Sequence, residues 1–302
     1  MHAIMLANFS QISSTAAAMC CAGFVAFLIG LLAANRDAAR APGLDKIVAL
    51  SNTCFAIPLA VFGALHLSAP QAVLGGVPAY MPWRMFWVYL VGCALVAAAL
   101  SIASKVAVQW SALLFGLMMF SFVAMLHFPG ALASHYDRIR WTVVFRESSF
   151  GGAAWVLAGS AAAAWSTRSK ITLVTIGRIL IALAAIFFGI EHFLHPLGLP
   201  GVPLERQMAA WIPGRAVIDC VTGAALLLTG ACILLNIKVR AATTWFGAWL
   251  LLLVLVIYVP VMISALGSPV TGVQVEGINY FGDTLLFAAE FLVLARAAPL
   301  PE

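Results

Sequence analysis

The chain has 302 residues, 64% of them apolar and 9% charged, with a formal net charge of +5. Soluble domains carry about 25% charged residues, so this composition excludes an ordinary globular enzyme and points to a polytopic protein in contact with the lipid bilayer. No basic tract with interleaved aromatics occurs, which excludes nucleic acid as a partner; Lys and Arg fall between apolar runs, as topology signals do.

A bilayer span needs about 20 apolar residues, which divides the chain into about nine helices. They are expected near 13–34, 46–67, 83–104, 107–128, 148–166, 171–193, 215–235, 242–266 and 278–296. No basic stretch precedes the first apolar run, so 11–34 reads as a retained span and not a cleaved signal. Cys20, Cys21, Cys54, Cys93, Cys220 and Cys232 all lie inside apolar runs and form no Cys-x-x-Cys pair. They read as small apolar fillers, which excludes thiol–disulfide exchange.

The connections set an orientation. Arg36, Arg40, Lys46, Lys105, Arg168, Lys170, Lys238, Arg240 and Arg296 fall on one side, mostly in short connections. Arg84, Arg138, Arg140, Arg146, Arg206 and Arg215 fall on the other, three of them in an expected loop over 129–147. The positive-inside rule makes the first side cytoplasmic, which puts the N-terminus outside and the C-terminus inside a multi-pass cell-membrane protein.

The second half then echoes the first. Val61-Phe62-Gly63-Ala64-Leu65-His66 matches Phe187-Phe188-Gly189-Ile190-Glu191-His192 at an offset of 126. Met81-Pro82-Trp83-Arg84 matches Ile212-Pro213-Gly214-Arg215 at 131, as do Gly92 and Gly223, Pro129 and Pro260, and Phe150-Gly151 and Phe281-Gly282. A longer hairpin over 195–210 absorbs the change. The expected architecture is all-α: an N-terminal helix and linker (1–45), then four-helix units over 46–170 and 171–302, related as parallel repeats.

Polar groups inside the apolar runs mark the candidate site, because each costs several kcal/mol in hydrocarbon unless something compensates. His66, His127, Glu191 and His192 fall at the outer ends of their helices, and Arg84, Glu147, Arg215 and Asp219 near the outer starts of theirs. Asp283 and Glu290 lie deeper, seven residues apart on one face. Arg215 and Asp219, four apart, are spaced to pair. His192, Arg215, Asp219 and Asp283 are expected to converge in the outer half of the second unit. Glu191, His192, Asp219 and Asp283 have metal-ligand chemistry, but no second Glu-x-x-His follows on another helix, so no di-iron pattern is completed and no metal is assigned. A b-type haem between His66 and His127 is an alternative cofactor. An imidazole beside a carboxylate is also a proton donor and relay, suited to quinone reduction or to coupled transport.

These residues resemble the DoxX-like superfamily of four-helix membrane proteins. The likeness is carried by Gly177-Arg178-Ile179-Leu180, Phe188-Gly189-Ile190-Glu191-His192-Phe193, Asp219, and the glycine-bounded run from Gly223 to Gly230. It covers residues 171–298 and, through the repeat, 46–165. The family's usual Gly-x-x-Lys is here Gly189-Ile-Glu-His192. The resemblance implies a membrane subunit of a quinone-linked oxidoreductase, or an accessory or assembly protein. In that role His192 is expected to donate to a quinone oxygen, with Glu191 and Asp219 tuning it. Arg215, Asp283, Glu290, His66 and Arg84 are then the ligand-binding groups, and a redox protein is the partner. The alternatives are a proton-coupled transporter of a small solute or ion, working through Asp283 and Glu290, and a non-catalytic scaffold.

Overall fold

The computed structural model describes residues 11–298. Residues 1–10, on which the expectation of a retained first span partly rests, and 299–302 lie outside them. Ser13 opens the first helix by accepting the Ala16 N–H on its hydroxyl, and α1 runs Ser14–Arg40. The long helices that follow are α2 (Ser51–Ser68), α3 (Arg84–Ser104), α4 (Val108–Ala133), α5 (Arg138–Ala161), α6 (Thr167–Leu194), α7 (Arg215–Leu234), α8 (Val239–Leu266) and α9 (Thr271–Ala297). All of these but α5 are long and apolar enough to cross a membrane, eight helices among the described residues.

One expected boundary is corrected. The loop over 129–147 does not exist as such: α4 continues to Ala133 and α5 begins at Arg138. Asp137 starts α5 by accepting the Ile139 and Arg140 N–H groups on its side chain. Arg138, Arg140, Arg146 and Glu147 are therefore helical residues, and charge density there does not mark a loop. Arg138 and Arg146 reach carboxylates on other helices, while Arg140 pairs with Asp137 at the start of this one and Glu147 with Arg146 within it.

α9 is the most enclosed of the eight, with 83% of its apolar window buried, against 22% for α4. It packs on α8, α2 and α5, while α1 lies to one side against α2 and α3. Gln274 ties the start of α9 to α1, accepting from the Ser13 N–H and donating to the Gln11 carbonyl. The outward faces carry large apolar side chains such as Leu32, Leu114, Val217 and Leu228, a surface matched to lipid.

Local features recur at the offset of 131. A π-helical turn over Val123–His127 interrupts α4, and another over Val254–Tyr258 interrupts α8. Each precedes a proline, Pro129 or Pro260, which lacks an N–H and crowds the carbonyl one turn back; the wider turn relieves this. Left-handed residues pair likewise: Trp83 with Gly214, Lys105 with Asn236, and Ala107 with Lys238. Two helix crossings also match. A Cβ on Gly92 of α3 would stand 2.9 Å from His66 Cβ, and one on Gly223 of α7 would stand 2.8 Å from His192 Cβ. Glycine is required at both, because only a bare backbone lets the second helix close on the histidine.

Candidate functional site

His192 sits three residues from the end of α6, about 1% exposed. Its Nδ1 lies 2.6 Å from the Phe188 carbonyl oxygen, which can only accept, so Nδ1 carries the proton. Its Nε2 is 2.9 Å from the Gly201 backbone N and accepts that N–H. The ring is thus a neutral tautomer with both nitrogens engaged.

Gly201 belongs to a folded cap, residues 195–214, which turns back over the end of α6. Backbone bonds from Leu199 to Arg206 and from Met208 to Leu197 hold it as a short hairpin. Leu199, Val202, Met208 and Ile212 are buried, so the cap is anchored by its own apolar residues. Its carbonyls are claimed by the bundle: Pro200 accepts the Tyr258 hydroxyl at 2.7 Å, and Pro203 accepts Arg138 Nη1 at 3.2 Å. Gly201 has φ +113, a backbone state open to glycine and strained for other residues, and a Cβ there would stand 3.4 Å from Leu250 Cδ2 and 3.5 Å from Thr284 Cγ2. The cap therefore enters the helix bundle, where its backbone groups find protein partners.

Asp219 lies in the second turn of α7, also 1% exposed, with Oδ1 3.4 Å from His192 Nε2. Neither carboxyl oxygen has a full hydrogen bond among the described residues, though the Gly198 N–H of the cap, bonded to the His195 carbonyl, also lies toward it. With Nε2 accepting the Gly201 N–H, the imidazole has no proton there to share with the carboxyl, and any proton between the two belongs to Asp219. A buried carboxyl without a full hydrogen bond costs free energy, so this one is placed against ordinary folding preference.

A second polar cluster lies between α5 and α9. Arg146 Nη1 pairs with Asp283 at 2.7 Å, and Nη2 with Glu147 at 2.8 Å. Deeper, the Ser149 hydroxyl is 2.9 Å from the Arg146 carbonyl and 3.0 Å from Glu290 Oε1. Its single proton serves one of the two. Glu290 is fully buried, and its Oε2 has no partner.

The expected residues thus divide. His192 and Asp219 come together. Asp283 is held by Arg146 instead of joining them, and Glu290 belongs to the same second cluster. Glu191, though next to His192, faces α5 and pairs with Arg138 at 3.3 Å, with His195 3.8 Å away. Arg215 makes no ion pair with Asp219: it donates to the Met208 carbonyl and clamps the cap. Arg84 clamps the matching connection, donating to Leu74 and Val77 carbonyls. Both arginines satisfy loop backbone that would otherwise be bare at a helix start. His66 keeps its bond to the Phe62 carbonyl but is half-buried and apart from the second-half groups. Arg146 is the residue the sequence reading assigned to a loop; eight residues into α5, on an apolar run, its position was the available signal. Among the described residues no three His, Cys, Asp or Glu side chains are grouped to hold a metal ion.

No family model matches the chain, and no match is found among curated proteins or solved structures. Composition and eight membrane-length apolar helices define the class: an all-helical, multi-pass membrane protein in contact with the lipid bilayer.

Proposed function

We propose that this chain is a proton-coupled membrane transporter of a small solute or ion, with Asp219 and His192 as its proton-handling pair. The observation that carries the reading is the buried Asp219 carboxyl, without a side-chain hydrogen bond among the described residues and 3.4 Å from His192 Nε2 beneath a folded cap. While Gly201 holds Nε2, the imidazole has no lone pair to offer. When the cap withdraws, Nε2 is free to take the proton from the Asp219 O–H: that bond breaks, an N–H forms, and the carboxylate is left beside an imidazolium. Glu290 is the deeper proton-carrying carboxyl, and Asp283 is the fixed counter-charge of Arg146.

The architecture we infer is an N-terminal helix followed by two parallel four-helix units, α2–α5 and α6–α9, with α5 as a ninth crossing. The paired π-turns, left-handed residues and glycine–histidine crossings support it, as does packing of α5 on α6 and of α9 on α2. The DoxX-like resemblance and the quinone-linked role it implies remain a second proposal. For that role the cap must move and Nε2 must then gain a proton, since the one N–H of His192, on Nδ1, is given to Phe188 and a freed Nε2 only accepts. The same charge asymmetry as before supports an outer position for this site and a cytoplasmic C-terminus.

A pH jump applied to proteoliposomes on a solid-supported membrane tests the reading. Wild-type protein should give a transient charge displacement that Asp219→Asn abolishes and Lys105→Gln preserves. No current above empty liposomes, or an equal current from Asp219→Asn, overturns it.

A further inference from the structure

The opposite face of the bundle carries a cavity of about 270 Å³, remote from His192 and Asp219. Four helices meet around it. Asn52 comes from α2, Lys105 from the turn between α3 and α4, Gln109 from the start of α4, Ser160 from the end of α5 and Arg296 from the end of α9. Buried Val108 and Leu157 complete the lining. The lining is therefore mixed: a polar, cationic rim over an apolar floor.

Its electrostatics favour an anion. Two cations line it and, among the described residues, no carboxylate does, although Asp37 beside it pairs with Lys105 and lies close enough to act on Arg296 as well. Arg296 donates to Asn52 Oδ1 at 3.0 Å, a neutral partner, and Asn52 is itself fixed through its bond to the Ile102 carbonyl at 3.3 Å. Lys105 pairs with Asp37 at 2.6 Å, but that aspartate is 58% exposed, and such a pair is readily exchanged for another anion. The start of α4 adds to this. Ala107 caps it in a left-handed conformation with no side-chain cap, so the N–H groups of Val108 and Gln109 have no helical acceptor. The ends of α5 and α9 also point here, and their carbonyls favour cations; Arg296, in the last turn of α9, offsets that end. The matching region of the second half differs, since Arg240 there is neutralised by Asp45 at 2.8 Å.

We propose that this cavity binds a phosphate group, as a phosphate monoester or diester, with Arg296 and Lys105 as its cations, Asn52 and Gln109 as neutral donors, and the start of α4 as a backbone cradle. Guanidinium and ammonium groups converging with free N–H donors are the arrangement that phosphate oxygens require. At about 270 Å³ the space takes a phosphate and a small polar headgroup and not acyl chains as well. The phosphate comes either from an anionic lipid headgroup, entering from the bilayer, or from a small soluble ester.

Two measurements on the full chain separate these sources. One is retention of phosphatidylglycerol over phosphatidylcholine, read by native mass spectrometry after extraction from mixed nanodiscs. The other is binding of inorganic phosphate and glycerol phosphate in detergent, read by phosphorus NMR. At least one probe should bind wild-type protein, and Lys105→Gln with Arg296→Gln should weaken that binding about tenfold, the loss expected for two ion contacts at a solvent-accessible site. Asp37→Asn, which frees Lys105, should strengthen it. Lipid retention alone assigns a headgroup site, and phosphate or ester binding alone assigns a soluble ligand. Failure of wild-type protein to bind either probe, or binding unchanged in both the double variant and Asp37→Asn, overturns the proposal.

Discussion

The end of α2 with the start of α3, and the end of α6 with the start of α7, which the proposed architecture makes matching ends of two halves, are built alike and differ at three points. In both, a histidine one turn beyond a phenylalanine donates from Nδ1 to that residue's carbonyl, with a glycine of the next helix against its Cβ. In both, an arginine at the next helix start clamps the connecting backbone seven residues earlier. The second half then places Asp219 where the first has Val88, and Tyr258 where the first has His127. It also lengthens the connection into a cap that reaches His192 Nε2. The shared parts are those that hold helices together. Of the parts that differ, the hydroxyl and the N–H bond between cap and bundle, and the carboxyl is the group to which the proposed function gives the proton, so under that proposal the comparison separates scaffold from chemistry.

The largest expected effect comes from the ion cluster that joins the halves. Arg146→Met leaves the part-buried Asp283 and Glu147 without their cation and should destabilise the protein by about 2–3 kcal/mol, less than a fully buried pair would lose. Thermal unfolding in detergent checks this, and Arg146→Met with Asp283→Leu should recover part of the loss. Unchanged unfolding in the single variant would mean the cluster is solvated.

Next, carrying the second half's chemistry into the first should fail. Val88 is 2% exposed, and Val88→Asp buries a carboxyl without a prepared partner, at a cost of about 1–3 kcal/mol. Asp219→Val, the reverse exchange, should leave stability equal or raised while removing the pH-jump current. If both substitutions destabilise equally, Asp219 is a structural group and the contrast between halves dissolves.

A smaller effect is expected at the cap. Tyr258→Phe removes the hydroxyl that donates to Pro200 and should lower stability by about 0.5–1.5 kcal/mol. Hydrogen exchange at the Gly201 amide should quicken, because the cap is then held by fewer bonds. His127→Phe, at the matching place in the first half, should leave that exchange unchanged.

Much of this was legible in the sequence, and the exceptions share a cause. The all-helical class and most boundaries follow from apolar run length, which is a local property, whereas nine spans were expected and eight helices of that length and apolarity stand among the described residues. His192 and Asp219 were found because imidazole and carboxyl are conspicuous in apolar runs. The start of α5 was misplaced because Arg146 and Glu147 resemble a loop until Asp283, 137 residues away, is brought beside them. Arg215 was expected to pair with Asp219 by helical spacing, but the carbonyl of Met208 on a folded connection captured it. The cap had one readable sign: Leu199, Val202, Met208 and Ile212 are apolar residues in a connection that had no need of them.

The central claim is that Asp219 exchanges protons from a buried site beneath the cap. Infrared difference spectroscopy across a pH step, on protein reconstituted in lipid, reads carboxyl groups directly. The account predicts a carboxyl stretching signal that changes with pH in wild-type protein, disappears in Asp219→Asn, and rises faster in Tyr258→Phe. A difference spectrum identical in wild type and Asp219→Asn would contradict it.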